Sequence, residues 1–282
     1  MPRKRTLEKK PAAPGSSVAA RLRINNPLWG VHAVEAAWRN PARTVHALYA
    51  TSQGLEELNK ALSRAGSAAL SFSSAGVPQA KGGGPRIVCV DRAGLDRTLP
   101  RGAVHQGIAL DCDPLEDVFL RDLVIAAAHR PRAVFLMLDQ VTDPHNVGAI
   151  LRSACAFGAS GVIMQKRHAP DLTGSAGGLL AKTACGAVEH VPVVYETNLT
   201  RALETLQEAG FFAIGLDERG EDIATCAVPD RCVLVLGAEG PGLRRLIKEQ
   251  CDTLARLPMK GPMPSINVSN AAAVALYALA GK

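Results

Sequence analysis

From Arg132 onward this chain alternates short, mostly apolar strand-like segments, at about 133–138, 161–164, 190–194, 211–215, 232–236 and 253–257, with stretches of helical period. A short apolar run bounded by turn residues reads as a buried strand, and regular alternation with helices predicts a mostly parallel sheet covered on both faces. The region before residue 132 is patterned differently. Gly30-Val-His-Ala-Val-Glu-Ala-Ala-Trp38 is helical in period, and Gly102-Ala-Val-His-Gln-Gly-Ile108 reads as a turn feeding a short strand. Between them lies a Gly/Ser-rich stretch whose loop tip is Gly82-Gly-Gly84, because consecutive glycines punctuate an element rather than extend it. Residues 114–131 are acidic and then helical. The pattern therefore predicts a small α/β unit at 26–113, a linker at 114–131 and a larger α/β unit at 132–282. The alanine-rich stretch 271–280 has almost no polar face, so its helix is expected to be covered by its own domain and by a second subunit.

Composition agrees with two domains: 282 residues, 47% of them hydrophobic, can bury a sizeable core. The chain lacks an uncharged apolar run of roughly eighteen residues or more, so no membrane span is expected. Its start, Met1-Pro-Arg-Lys-Arg, lacks the apolar stretch of a secretory signal, and cytoplasm is the expected location. The seven cysteines are odd in number and never spaced Cys-x-x-Cys. Neither a disulfide framework nor a zinc site follows from that spacing, and they read as reduced core residues. The net charge of +6 is concentrated, since residues 1–23 hold seven Lys/Arg against the single acid Glu8. Residues 1–25 thus form a basic Pro/Ala/Ser arm, expected to be disordered and suited either to gathering polyanions without reading sequence or simply to solubility.

In a parallel sheet, ligands bind outside the carboxyl ends of the strands. Three loops there stand out. The first is Asp139-Gln-Val-Thr-Asp-Pro-His-Asn146, in which Asn146 is expected to cap a helix starting at Val147. Arg152 then points away from the buried stripe Val147, Ile150, Leu151 and Ala154, at ~100° per residue. The second, Leu236-Gly-Ala-Glu239-Gly-Pro-Gly242, fits neither phosphate-loop nor dinucleotide glycine spacing. Three glycines around one carboxylate suggest backbone packed against a ligand. The third carries three prolines and a glycine across residues 258–265 and continues through Ser265-Ile-Asn267-Val-Ser269 into the last helix. A rigid loop of that kind is worth building where its shape is used. Ser269 reads as the cap of that helix and His145 as structural.

Singly these loops carry bland readings, a capping amide and a solvated arginine. As an ordered set, Asp143-Pro-His-Asn146-x-Gly-x-x-x-Arg152, Leu-Gly-x-Glu239-Gly-x-Gly242 and Pro258-Met-x-Gly-x-x-x-Ser265-Ile-Asn267-Val-Ser269 resemble the three signature motifs of the SpoU/TrmH (SPOUT) family of RNA ribose 2′-O-methyltransferases. The resemblance covers about Arg132 to Ala280. The Gly30-Val-His-Ala-Val and Gly102–Ile108 segments further resemble the L30e-like accessory RNA-binding domain of the subgroup that methylates a guanosine ribose in bacterial large-subunit (23S) rRNA, in which His105 reads as an RNA-contact or turn residue.

The resemblance implies an α/β fold whose mostly parallel sheet is closed by a C-terminal trefoil knot, a rare exception among folds. It implies S-adenosylmethionine as cofactor, held by backbone groups of Gly237, Leu257 and Ile266, and a homodimer formed through the C-terminal helix. Arg152 is the residue it assigns to the ribose hydroxyl, with Asn146, Glu239, Ser265 and Asn267 shaping the pocket. Methyl displacement from a sulfonium needs in-line alignment and loss of one proton, and no metal. A free guanidinium is essentially never neutral at pH 7, so Arg152 is read as a clamp on RNA phosphate and on developing oxyanion charge. Methylation of tRNA or of another rRNA site, and a non-catalytic ribosome-assembly factor that binds RNA, are the alternatives.

Overall fold

The computed structural model describes residues 22–72, 84–167 and 169–280. Most of the basic arm and two of the three glycines of the loop tip, Gly82 and Gly83, lie outside the described residues. The chain opens with β1 (Pro27–Trp29), α1 (Val31–Arg39), β2 (Val45–Ala50), α2 (Ser52–Arg64), β3 (Arg86–Cys89), α3 (Arg92–Thr98) and β4 (Ile108–Cys112). These strands form one sheet in the order β1-β4-β2-β3. β4 is antiparallel to both neighbours, and β2 and β3 are parallel. Helix starts follow local chemistry: the Thr51 hydroxyl accepts from Gly54 N–H at 3.0 Å, and the Asp91 carboxylate from Gly94 N–H at 2.7 Å. Of the two readings of His105, RNA contact or turn residue, the structure supports the turn. His105 is 1% exposed, its Nδ1 accepts from Gly107 N–H at 3.0 Å, and its Nε2 meets the Asp96 carboxylate at 3.0 Å. The ring is the buried strut of a turn.

The second part runs α4 (Leu120–Ala128), β5 (Ala133–Asp139), α5 (Pro144–Ala156), β6 (Gly161–Gln165), α6 (Gly174–Thr183), β7 (Val193–Glu196), α7 (Leu199–Glu208), β8 (Phe212–Asp222), β9 (Arg231–Gly237), α8 (Arg245–Gln250), β10 (Thr253–Arg256) and α9 (Val268–Ala280). All six strands are parallel, in the order β10-β8-β9-β5-β6-β7. Side chains alternate along β5 between two covers. Phe135 and Met137 join Leu120 and Leu123 of α4, Leu203 and Leu206 of α7 and Ile247 of α8. Leu136 and Leu138 join Val147, Ile150 and Leu151 of α5 and Ala272, Ala275 and Leu276 of α9. Each fully buried leucine contributes roughly 1.5–3 kcal/mol. So α4, within the stretch read as a connector, is part of the core of this sheet.

Two strands differ from their sequence reading. β7 begins at Val193 because Ala187–Glu189 forms a short 3-10 turn ahead of it. β8 extends to Asp222, yet its pairing with β10 jumps from Gly215↔Leu254 to Glu221↔Ala255. The polar residues between, Asp217 to Gly220, are looped out of the ladder, as in an extended bulge.

The two sheets meet along α6. Trp29 packs on Gly178, where a Cβ would sit 2.1 Å from the indole ring and 2.3 Å from the Pro27 carbonyl oxygen. At one end Asn26 Oδ1 accepts from Gly174 N–H at 2.5 Å. At the other, Arg43 Nε and Nη2 donate to both Glu189 oxygens at 2.8–3.2 Å, with side chains 4% and 0% exposed. Asn40 Nδ2 adds a bond to Glu189 at 2.8 Å, and Arg43 Nη1 donates to the Asp113 carbonyl at 2.7 Å. Midway, Lys182 Nζ donates to Gln106 Oε1 at 2.6 Å, and the same oxygen accepts from Val31 N–H at 3.2 Å. Burial pushes the Lys182 pKa down. The apolar core is continuous through this seam, from Leu28, Val34 and Leu48 to Leu180 and Ala184.

Among the described residues no helix is long and apolar enough to cross a membrane. Nor does any group of three or more His, Cys, Asp or Glu side chains among them suit a metal ion.

Candidate active site

β5 and β9 end in register, Asp139 opposite Gly237, so the loops that follow start side by side at the carboxyl edge. The first loop places its cap three residues earlier than the sequence reading. Asp143 caps α5, its Oδ1 accepting from His145 N–H at 2.9 Å, and Pro144 takes the first helical position, where its fixed φ and missing N–H cost nothing. Asn146 is thus in the first turn of α5, and its amide is free to cross between loops. It donates to Glu239 Oε1 at 3.1 Å and accepts from Asn267 Nδ2 at 2.9 Å. Asn267 Nδ2 also donates to Glu239 Oε1 at 2.5 Å.

Asn267 does a second job. Its Oδ1 accepts from Ser269 N–H at 2.8 Å and from the Ser269 hydroxyl at 2.5 Å, which makes Asn267, not Ser269, the cap of α9. The cap role was read onto the hydroxyl because serine is a common cap. Here the asparagine sits one place ahead of the first helical residue and outcompetes it. Three loops therefore meet in one cluster, Asn146–Glu239–Asn267, drawn from positions 93 and 121 residues apart. The second oxygen of Glu239 and the second N–H of Asn146 take no partner among the described residues.

The second loop is tight by necessity. A Cβ on Gly237 would lie 2.2 Å from the Gly242 carbonyl carbon and 2.3 Å from the Leu243 nitrogen. Gly242 N–H returns to the Ala238 carbonyl at 3.0 Å, and Gly240 and Gly242 have φ of 85° and 69°, a region that favours glycine. The third loop differs. Residues 258–266 are exposed, and none of them makes a hydrogen bond among the described residues. Ser265 and Ile266 lie at its end beside Asn267, while Leu257 is half-buried at its start. Arg152 is exposed on α5, without an acidic partner among the described residues and outside hydrogen-bond contact with the Asn146 cluster.

One pair at this edge escaped the sequence reading. Asp139 is fully buried; its Oδ2 accepts from Arg244 N–H at 2.9 Å and its Oδ1 from Arg244 Nε at 2.7 Å, with Nη2 also 2.7 Å away. This bidentate, charge-assisted contact ties the root of the first loop to the end of the second. The only sign of it in the sequence is a charged residue closing an apolar run, with its partner 105 positions away.

The arrangement defines a class before it defines a family: a parallel α/β sheet whose carboxyl edge gathers polar loops after β5, β9 and β10. The same architecture is found in the SpoU methyltransferase AviRb from Streptomyces viridochromogenes, solved in complex with the cofactor AdoMet, with a TM-score of 0.69 over 91% of this chain and 90% of that one at 22% identity. An AdoMet-bound rRNA methyltransferase from Sinorhizobium meliloti matches with a TM-score of 0.66 over 90% and 86% of the two chains, also at 22% identity.

Residues 133–277 match the SpoU rRNA Methylase family, and the chain belongs to it. It is 36% identical over 255 residues to the 23S rRNA (guanosine-2′-O-)-methyltransferase RlmB of Vibrio cholerae, covering 90% of this chain and 95% of that protein. The protein of the same name from Neisseria meningitidis is 36% identical over 253 residues, 89% and 92% of the two chains.

Proposed function

We propose that this chain transfers the methyl group of S-adenosylmethionine to the ribose 2′-oxygen of a guanosine in large-subunit rRNA. The observation that carries this reading is the extent of the likeness to the Vibrio cholerae guanosine-2′-O-methyltransferase. It spans 95% of that protein, and so includes the part built on β1–β4 as well as the region that all SpoU enzymes share.

The residues present suit an adenosine cofactor held by backbone. The collision a Cβ would meet at Gly237 shows main chain packed on main chain, and residues 258–266 offer N–H and carbonyl groups that the described residues leave unused. Gly237, Leu257 and Ile266 are the positions that would hold the cofactor, which supplies an electrophilic methyl on a positively charged sulfur. A knot accounts for the path of the chain. After β10 at the sheet edge, the third loop must return past β8 and β9, because Asn267 bonds to Asn146 beside β5.

The chain's own residues then have three tasks. Asn146, Glu239 and Asn267 form a pre-bonded frame whose spare oxygen and N–H orient the incoming nucleoside, so that its 2′-oxygen lies in line with the methyl. Ser265 supplies a free hydroxyl on the same rim. Arg152, unpaired and exposed, clamps a flanking phosphate and the oxygen as negative charge gathers on it. Because arginine does not deprotonate in proteins, the 2′-hydroxyl proton leaves to phosphate or water. With the cofactor bound, its methyl group would be what the framed 2′-oxygen takes up, while the proton lost from that oxygen passes to phosphate or water.

The same reading gives a homodimer through α9, whose Val274 and Tyr277 are 47% and 71% exposed in the single chain, action in the cytoplasm, and no metal. The test is methyl transfer from labelled S-adenosylmethionine to separate pools of unmodified large-subunit rRNA, small-subunit rRNA and tRNA, with mapping of alkali-resistant positions. Label at one large-subunit guanosine is expected. Label in tRNA would keep the chemistry and overturn the substrate; cofactor binding without label would favour an assembly factor.

A further inference from the structure

Asp139 closes the apolar run of β5 as a fully buried carboxylate, and its side-chain hydrogen bonds among the described residues go to Arg244. A buried carboxylate is costly unless it is paired, and a buried ion pair is often no more stabilising than two apolar side chains in its place. What the ion pair has and apolar contact lacks is direction. Asp139 applies it at both ends of the second loop. Its main chain lies opposite Gly237 in the β5–β9 ladder, where that loop begins. Its carboxylate takes Arg244, where the loop ends, by the main-chain N–H at 2.9 Å and by Nε and Nη2, each at 2.7 Å. Between these anchors the loop folds on itself, with Gly242 N–H bonded to the Ala238 carbonyl. Leu243 is buried in the same cluster as Phe135 and Met137, which holds the loop down without aiming it. Glu239 stands exposed in the turn, bonded to Asn146 and Asn267. The first loop, which leads to Asn146, also starts at Asp139.

We propose that Asp139 and Arg244 are positioning residues of the methyl-transfer reaction: one carboxylate fixes both ends of the second loop and the start of the first, and so sets Glu239 against Asn146 and Asn267. The inference rests on the methyltransferase reading above, and adds to it the pair through which the frame is aimed. Without the carboxylate the loop stays attached through the ladder and Leu243, but its far end loses its direction and Glu239 no longer meets the amides at one distance. The Arg244 side chain is 39% exposed, so a small guanidinium in solution can enter the place it would leave.

The experiment uses the full chain. Asp139→Asn keeps the shape and removes the charge, and Arg244→Ala removes the partner. Asp139→Leu with Arg244→Met replaces the pair by apolar side chains, which restores burial without direction. Arg245→Ala, at the exposed neighbour bonded to Glu249, is the control. Denaturant unfolding reads the fold, calorimetry the affinity for S-adenosylmethionine, and steady-state transfer to unmodified large-subunit rRNA the KM and kcat. The side-chain amide signals of Asn146 and Asn267, in protein labelled at asparagine with heavy nitrogen and assigned with Asn146→Ala and Asn267→Ala, read the frame itself. For Asp139→Asn, Arg244→Ala and the apolar double variant, both amide signals should move and kcat should fall on the order of 100-fold, with KM and cofactor affinity within about twofold. Added methylguanidinium should restore kcat of Arg244→Ala in part and leave Asp139→Asn as it is, and Arg245→Ala should behave as the parent. A stable apolar double variant with the parent's kcat would make the pair merely structural and overturn the proposal, as would amide signals that Asp139→Asn leaves unmoved. Should the Asp139 variants not fold, Arg244→Ala with and without methylguanidinium decides by the same signals. If the parent methylates no RNA, the functional reading fails, and the amide signals still decide whether Asp139 aims the loop.

Discussion

The seam and the cleft are built from similar materials, carboxylates, amides and closely packed glycines, yet they are finished differently. In the seam the Arg43 and Glu189 charges meet each other: the Glu189 side chain is fully buried, both its oxygens are bonded, and Arg43 Nη1 donates to a carbonyl. In the cleft, Glu239 is exposed with one oxygen in use, Arg152 has no acidic partner among the described residues, and residues 258–266 leave their main chain unbonded. A polar cluster that satisfies itself holds parts together. One that stops half-way leaves capacity for a ligand. Burial separates the two cases more sharply than residue type does, because an unmet hydrogen bond is costly only where water cannot reach it.

The comparison can be broken hardest from the seam. Glu189→Ala strands the Arg43 guanidinium, and the expected loss is about 3–5 kcal/mol of stability in denaturant unfolding, with kcat of the folded fraction unchanged; a loss under about 1 kcal/mol would mean that water already reaches the pair. Arg152→Ala should do the reverse, lowering kcat/KM on the order of 100-fold with no change in unfolding free energy. Arg152→Lys should recover little, and near-full turnover in that variant would remove the bidentate clamp. Asn267→Ala sharpens the comparison, since it should show in both assays. Loss of the frame bonds is expected to weaken cofactor or substrate binding by about 1–2 kcal/mol, and loss of the α9 cap to cost stability by about 1 kcal/mol.

The last effect is one of pH. Burial pushes the Cys112 thiol, next to the seam, up to about 11 from its ordinary 9.0. A folded pKa above the unfolded one gives stability that is complete below pH 9 and lost as pH rises through about 11. Lys182, pushed down by burial, acts with the opposite sign, its desolvation penalty lifting as pH climbs toward the ordinary lysine range. Unfolding free energy of the parent should therefore fall more steeply between pH 9 and 11 than that of Cys112→Ala.

Most of the second sheet was legible because its central strands are continuous apolar runs buried on both faces, as at 133–138 and 232–236, where burial from Phe135 to Leu138 and from Cys232 to Leu236 is nearly complete. The cleft residues were legible through their order along the chain, and the structure brings Asn146, Glu239 and Asn267 into contact. Helix ends were read less well. Asn146 and Ser269 are each good caps by type, but Asp143 and Asn267 hold those positions by geometry that a residue's own preference does not encode. The partnerships that close the fold, Asp139 with Arg244 and Arg43 with Glu189, span 105 and 146 residues, and neither member of either pair sits in a local pattern that names its mate.

The wide spacing of the cleft also fixes when in the life of the chain it can exist. Asn146 and its partner Asn267 are 121 residues apart, so at about 5–20 residues per second of synthesis the first waits roughly 6–24 seconds for the second to be made. Until the last strand and the loop after it have left the ribosome there is no frame, and a nascent chain stalled before residue 257 would carry two of the three loops and none of their shared hydrogen bonds to Asn267. The enzyme is thus silent until its third loop has left the ribosome, because only then does the cleft acquire Asn267.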